Sequence, residues 1–232
     1  MKRTQILLTI CLSLFLSSFA FSQTKDEEDK NRQVKGIKEM QFGIRSGLNV
    51  SFPSGNLVES SESRLGYHVG AYFQLPSKSK KFVYELGFFY SLEGFDAAWL
   101  FGDSIRTSLN LPSIGKDAPT RIHIENLDAQ FIIKDNQNEK FSAYGGLELS
   151  YLLSAEVYQE HINDQNELVK YTSTDLDGLS KVSMGVLIGL EYHINHFFHI
   201  NAQYTYPFTR MLSESTSDVK NNTIKLGAGF TF

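Results

Sequence analysis

The sequence predicts an all-β fold, an eight-stranded antiparallel up-and-down transmembrane β-barrel. Three observations carry that reading. From Gln41 onward apolar residues recur with period two over eight segments. The connections between segments alternate between short and long. The polar face of the segments is built of glycine, serine and scattered charge, as a narrow, side-chain-filled interior requires. The 232 residues include 18 Phe, 11 Tyr and 17 Gly but one Trp and five Pro, a bias toward strands with close backbone approaches. A hydrophobic fraction of 41% excludes wholesale disorder. The net charge of −4 offers nucleic acid no basic stripe, so no nucleic-acid partner is expected.

The only long apolar run comes first. Lys2 and Arg3 precede the uncharged stretch Ile6 to Phe21, and Ala20 and Ser22 stand at the −3 and −1 positions of a cleavage site. A basic start, an apolar middle and a small-residue exit predict that residues 1–22 are a secretory signal peptide. The single cysteine, Cys11, lies inside that run, so the mature chain is expected to have no disulfide. Residues 23–40 follow as a charged periplasmic leader. Ten of the fifteen residues from Lys25 to Glu39 are charged, of mixed sign.

The barrel is expected over residues 41–232. In the first segment Phe42, Ile44, Leu48, Val50 and Phe52 share a face, opposite Gly43, Arg45, Gly47 and Asn49. The second sets Leu65, Tyr67, Val69 and Phe73 against Gly66, His68 and Gly70. The third sets Phe82, Tyr84, Leu86, Phe88 and Tyr90 against Glu85, Gly87 and Ser91. The fourth, Arg121 to Lys134, is irregular: Ile122 and Ile124 take one parity, Leu127, Phe131 and Ile133 the other. A bulge near Glu125–Asn126, or a misplaced strand start, would reconcile the halves. The fifth sets Leu147, Leu149 and Tyr151 against Tyr144, Gly146 and Glu148, and the sixth Val186, Ile188 and Leu190 against Lys181, Gly185 and Glu191. The last two set Ile200, Tyr204, Ile224, Leu226, Phe230 and Phe232 against His199, Asn201, Lys225 and Gly227.

Period two alone would also suit a soluble barrel with an apolar interior. The glycine- and serine-rich polar face favours the apolar face being outside. So does strand length: about 10–13 residues at about 3.3 Å, tilted about 40°, cross the hydrocarbon layer. Aromatics cluster at strand ends, as interface girdles do.

The C-terminal run Lys225-Leu226-Gly227-Ala228-Gly229-Phe230-Thr231-Phe232 resembles the β-signal of bacterial outer-membrane proteins. With "FGIRSGLNVSF" opening the barrel and "YGGLELSYLL" midway, residues 41–232 resemble the outer-membrane β-barrel domain family of Bacteroidota, often labelled PorT-like. The resemblance implies an outer-membrane location. It also implies recognition of Lys225, Gly227, Phe230 and Phe232 by the barrel-assembly machinery. Asp128 and Gln130 depart from the apolar fourth strand usual in that family.

Inward Arg45, Lys181 and Lys225 are expected to meet inward Glu85, Glu148 and Glu191 as a packed lumen network rather than an ion path. No catalytic residue, metal or cofactor is expected. His123 with Glu125, and His161 with Asp164, could pair, but nothing places a serine beside them. His193, His196 and His199 cluster around a turn without an evident carboxylate. Expected partners are outer-membrane lipid, the assembly machinery and envelope or surface proteins. The expected contact is the apolar cluster Trp99, Leu100 and Phe101 in the second long connection. The functional reading is a non-enzymatic barrel that is structural or interacts through its loops. A small pore or translocon component, and a lipid-modifying enzyme, stand as alternatives.

Overall fold

A computed structural model gives nine strands among the described residues: β1 (Gln41–Ser54), β2 (Ser61–Leu75), β3 (Phe82–Ala97), β4 (Thr120–Asp135), β5 (Phe141–Ile162), β6 (Leu168–Ser173), β7 (Val182–His193), β8 (Phe198–Pro207) and β9 (Lys220–Thr231). The structure describes residues 40–55, 61–75, 81–97, 120–135, 138, 140–162, 168–174, 179–211 and 219–232. The signal-peptide and leader expectations, and Trp99, Leu100 and Phe101, lie outside the described residues. Every pairing is antiparallel. Since β1 pairs with β2 and β9, and β4 with β3 and β5, eight strands close into a ring in the order β1-β2-β3-β4-β5-β7-β8-β9. Closure leaves no strand edge in lipid, which is what a spanning sheet needs. β6 stands outside the ring, paired to the far end of β5 from Val157 to Ile162. The third long connection, expected as a polar loop from Ala155, is thus partly strand, because the alternation of Ala155 and Val157 carries β5 onward.

Burial settles which face looks out. Leu48, Phe88 and Leu190 are 53%, 53% and 61% exposed, while Glu85 and Asp128 are 0% and Glu191 1% exposed. Water around such an exterior would forfeit the hydrophobic effect and bury charge for nothing. Hydrocarbon around it reverses both signs. A soluble barrel with an apolar interior is therefore ruled out. At the short-turn end the apolar band closes in a girdle: Phe42 stacks on Phe232 at 5.6 Å and meets Phe73 at 5.3 Å, while Phe230 lies 4.8 Å from both Phe198 and Phe232. The turn at Ile194–Phe197 is fixed by Asn195, whose Oδ1 accepts from the amides of Phe197 and Phe198 at 2.9 and 2.8 Å.

The walls differ in height. β8 has 10 residues, enough at about 3.3 Å each and about 40° of tilt to cross the apolar layer once. β5 has 22, so its second half rises past the layer, with the ends of β3 and β4 beside it. At that boundary the chemistry of the wall inverts. Below it the outward residues of β4 are Leu127, Phe131 and Ile133, and Asp128, Gln130 and Lys134 are buried inside. Above it Arg121 and His123 face out, and Ile122 and Ile124 are buried inside. β4 itself is regular, paired residue for residue with β3 from Ala97↔Thr120 to Phe82↔Asp135. The expected bulge is on its neighbour. Glu125 pairs with Ser154 but Asn126 with Leu152, leaving Leu153 as an extra residue on β5. Past Leu153 the inward parity of β5 changes, and Ala155 and Val157 turn in to meet Ile124 and Ile122. β2 breaks register with β3 at the same level, between Ser63 and Tyr67. Above the layer the wall is an ordinary water-facing sheet, polar outside and apolar inside, with Phe95 opposite Ile122.

Two glycines make room for the largest side chains inside. Tyr72 lies across Gly43 and Tyr144 across Gly189, each opposite in register. A Cβ at Gly43 would stand 2.2 Å from the Tyr72 ring and one at Gly189 2.3 Å from that of Tyr144. Gly189→Val should therefore displace Tyr144 and cost about 1–3 kcal/mol. Urea titration of the refolded barrel, read by its heat-modifiable gel migration, measures the loss. An unchanged midpoint would show that the ring is not packed there.

Candidate functional site

The lumen holds two ion-paired clusters. Nearer the short-turn end, Arg45 from β1 and Lys134 from β4 meet Glu85 from β3 and Glu191 from β7. Arg45 Nη2 lies 3.1 Å from Glu85 and 3.2 Å from Glu191, and Lys134 Nζ 2.7 Å and 2.8 Å from the same two acids. Two cations on two carboxylates balance, and all four side chains are buried. Tyr72 and Tyr144 flank them: the Arg45 guanidinium is 4.7 Å from the Tyr72 ring centre, and Lys134 Nζ 5.8 Å from that of Tyr144. Gln74 adds a donor to Glu85.

Nearer the long-loop end the balance fails. Lys225 Nζ lies 2.7 Å from Asp128, 3.0 Å from Glu148 and 3.7 Å from Glu93, one cation for three buried carboxylates. Neutral donors make up part of the difference: Ser91 donates to Asp128, Gln130 to Glu148 at 2.6 Å and Asn221 to Glu93 at 2.9 Å.

Of the residues expected in the network, Arg45, Glu85 and Glu191 thus gather in the first cluster, and Glu148 and Lys225 in the second. Lys181 does neither. It precedes the first residue of β7, its side chain is exposed, and its carbonyl accepts from the amide of Leu152 at 2.9 Å. Its parity is that of the lumen, but it stands one residue beyond the strand. Lys134 and Asp128 fill places the sequence reading left empty. The parity that puts Gln130 inside, carried four residues on, would have placed Lys134.

The candidate catalytic groups are placed as follows. On the outer face above the apolar band, Arg64 and Arg121 flank Asp96 at 3.4 and 3.8 Å, charges that only the water side tolerates. His123 lies among them, opposite Glu156 in register and 5.0 Å from the Tyr158 ring. Partial burial and then the Arg64 guanidinium lower the pKa of His123 from the ordinary imidazole value. Its expected partner Glu125 is bonded instead to the Tyr90 hydroxyl. The side chains of His161 and Asp164 lie outside the described residues. At the short-turn end, His193 Nε2 is 3.3 Å from Glu191 and from Ser142 Oγ, and His199 Nε2 is 3.6 Å from Glu191, a carboxylate that spacing in the sequence did not reveal. His196 is exposed. Among the described residues no three His, Cys, Asp or Glu side chains gather as metal ligands would.

Comparison with known proteins fits this architecture. The structure of Ail, the attachment invasion locus protein of Yersinia pestis, solved with the heparin analogue sucrose octasulfate, is similar at 18% identity, over 84% of this chain and 99% of that one, with a TM-score of 0.45. Neisserial surface protein A is similar at 14% identity, over 82% and 97%, with a TM-score of 0.46. The outer membrane protease OmpT of Escherichia coli is similar at 10% identity, over 85% and 98%, with a TM-score of 0.37. No curated protein sequence matches the chain. Residues 21–213 match the family model described as outer membrane protein beta-barrel domain, and the chain belongs to that family of outer-membrane β-barrels.

Proposed function

We propose that the protein is a non-enzymatic, non-conducting outer-membrane barrel that meets envelope or surface partners at its long-loop end. One observation supports this above the others. The lumen is filled by paired charge, and the wall above it is rebuilt, polar outside and apolar inside, as a folded surface standing in water. A conduit has no use for either feature, whereas a platform needs a rigid stem and a projecting sheet. The long-loop end faces the cell exterior, and the short turns and both termini of the barrel domain face the periplasm. The chain is exported by residues 1–22 and sits among the PorT-like barrels of Bacteroidota. Trp99, Leu100 and Phe101 form the partner contact. Deleting residues 100–119 should leave heat-modifiable folding intact and remove the partners captured from envelope extracts by the full chain. Capture of the same partners by both would place the contact elsewhere. Unaltered lipid A in a deletion strain is the outcome expected of a barrel that modifies no lipid, and mass spectrometry reads it.

The assembly machinery reads Lys225, Gly227, Phe230 and Phe232. The last amide donates to the Phe42 carbonyl at 2.7 Å, closing the seam between β9 and β1. Phe232 is 64% exposed, so apart from its ring contacts with Phe42 and Phe230 it packs against little of the finished barrel. Phe232→Ala should therefore lower the yield of folded protein in cells several-fold, yet shift refolding in detergent by less than about 1 kcal/mol. Equal losses in both would make Phe232 a packing residue and not a signal.

A further inference from the structure

Above the second cluster a cavity of about 70 Å³ opens toward the long-loop end, room for several waters at about 10–15 Å³ each. Arg210 is exposed at its mouth and Glu93 and Glu148 are buried at its floor, so a ligand of net charge meets its like at one end or the other. Between them the lining is rich in hydroxyls: Ser150, Ser183, Thr205, Thr209 and Thr223. Two of these keep a proton to give. Ser183 Oγ accepts from Thr209 Oγ1 at 2.9 Å and Thr205 Oγ1 from Gln203 Nε2 at 3.2 Å, and among the described residues neither is bonded onward. Two acceptors are open as well. Asn221 donates through its amide nitrogen to Glu93 at 2.9 Å, and its Oδ1 is buried without a partner. The hydrogen bonds that Glu148 receives, from Lys225, Gln130 and Gln203, all end on Oε2 and leave Oε1. Ile124, Leu152 and Leu179 complete the lining with an apolar stretch.

We propose that this cavity binds a neutral polyol, the edge of a sugar ring that carries adjacent hydroxyls. Each such hydroxyl both donates and accepts, so a few of them answer Ser183 and Thr205 as donors and Asn221 Oδ1 and Glu148 Oε1 as acceptors. The hydroxyl that donates to the carboxylate makes a charge-assisted bond, the stronger kind. An ammonium has no acceptor for Ser183 and Thr205, and a carboxylate has no proton for Asn221 and Glu148. Water has the right polarity but gains nothing from Ile124, Leu152 and Leu179, which the C–H face of a sugar covers. The same hydroxyls are offered by a small free sugar and by the terminal unit of a surface glycan. The site does not rest on the platform reading, since a barrel without protein partners would hold the same cavity.

Isothermal titration of the folded full-length protein, in a detergent without a sugar headgroup, tests it with the methyl glycosides of glucose, galactose and mannose. Tetrahydropyran-2-methanol, a ring of the same size with a single hydroxyl, is the control. Saturable binding of at least one glycoside and not of the control is expected, weakened about tenfold in the double variant Ser183→Ala/Thr205→Val. Heat-modifiable migration confirms that the variant is folded. A trisaccharide of the sugar that binds separates the sources: binding as tight as the monosaccharide's points to a glycan end, exclusion to a free sugar. Equal binding of the control, undiminished binding in the folded double variant, or no binding of any glycoside would overturn the proposal.

Discussion

Lys225→Met should be the most damaging single substitution in the lumen. The methionine fills the same space, but Asp128, Glu148 and Glu93 are left buried together with no cation among them. Removing one partner from a buried ion pair costs about 3–5 kcal/mol, because the remaining charge cannot return to water. Three carboxylates around one lost cation place the loss at the top of that range. Urea titration of the refolded protein at pH 8 reads it as a fall in the midpoint. Lowering the pH toward the carboxylate range, about 4, should recover part of the loss, since a protonated acid needs no counter-charge. Lys181→Met is the matched control. Its side chain is exposed outside the lumen, so the midpoint should move by no more than about 0.5 kcal/mol. Equal effects of the two would contradict the assignment of Lys225 to a buried cluster.

Glu191→Leu should cost nearly as much, about 3 kcal/mol or more. Glu191 is the shared acceptor of the first cluster, with Arg45 at 3.2 Å, Lys134 at 2.8 Å and the imidazoles of His193 and His199 within 3.6 Å. Its loss leaves two buried cations on Glu85 alone. The same titration measures it, and restoring Lys134 to neutrality in the double variant Glu191→Leu/Lys134→Met should return a good part of the stability. A double variant as unstable as the sum of the two singles would show that the two groups are not coupled.

The closed ring, its eight strands and its outward apolar face were legible because period two survives wherever lipid lies on one side and packed polar groups on the other. The fourth strand defeated that logic for a physical reason. Ile122 and Ile124 break parity with Leu127, Phe131 and Ile133 although the chain keeps its geometry, because the solvent outside changes from hydrocarbon to water between them. A switch of environment and a bulge leave the same trace in a sequence. Only the pairing with β5 separates them, by placing the extra residue at Leu153. Lys134 was hidden by the same ambiguity, and Lys181 was misplaced because parity gives a face but not a strand end. The acidic excess around Lys225 was partly visible in Glu148 and in Asp128, which stood out only as a departure from the family's apolar strand. Glu93 shares the polar face of the third segment, but its approach to Lys225 is a distance that no one-dimensional pattern holds.

The account turns on a lumen that is a packed core and not a passage. Arg45, Lys134, Glu85 and Glu191 fill one level, Lys225 with its three acids another, and Phe95, Ile122, Ile124, Ala155 and Val157 lie buried above. Single-channel recording of the purified, folded protein in a planar bilayer tests that directly. Insertion should add no discrete conductance step above the leak of the bare membrane, at either polarity. Reproducible unitary steps from single insertions would contradict it.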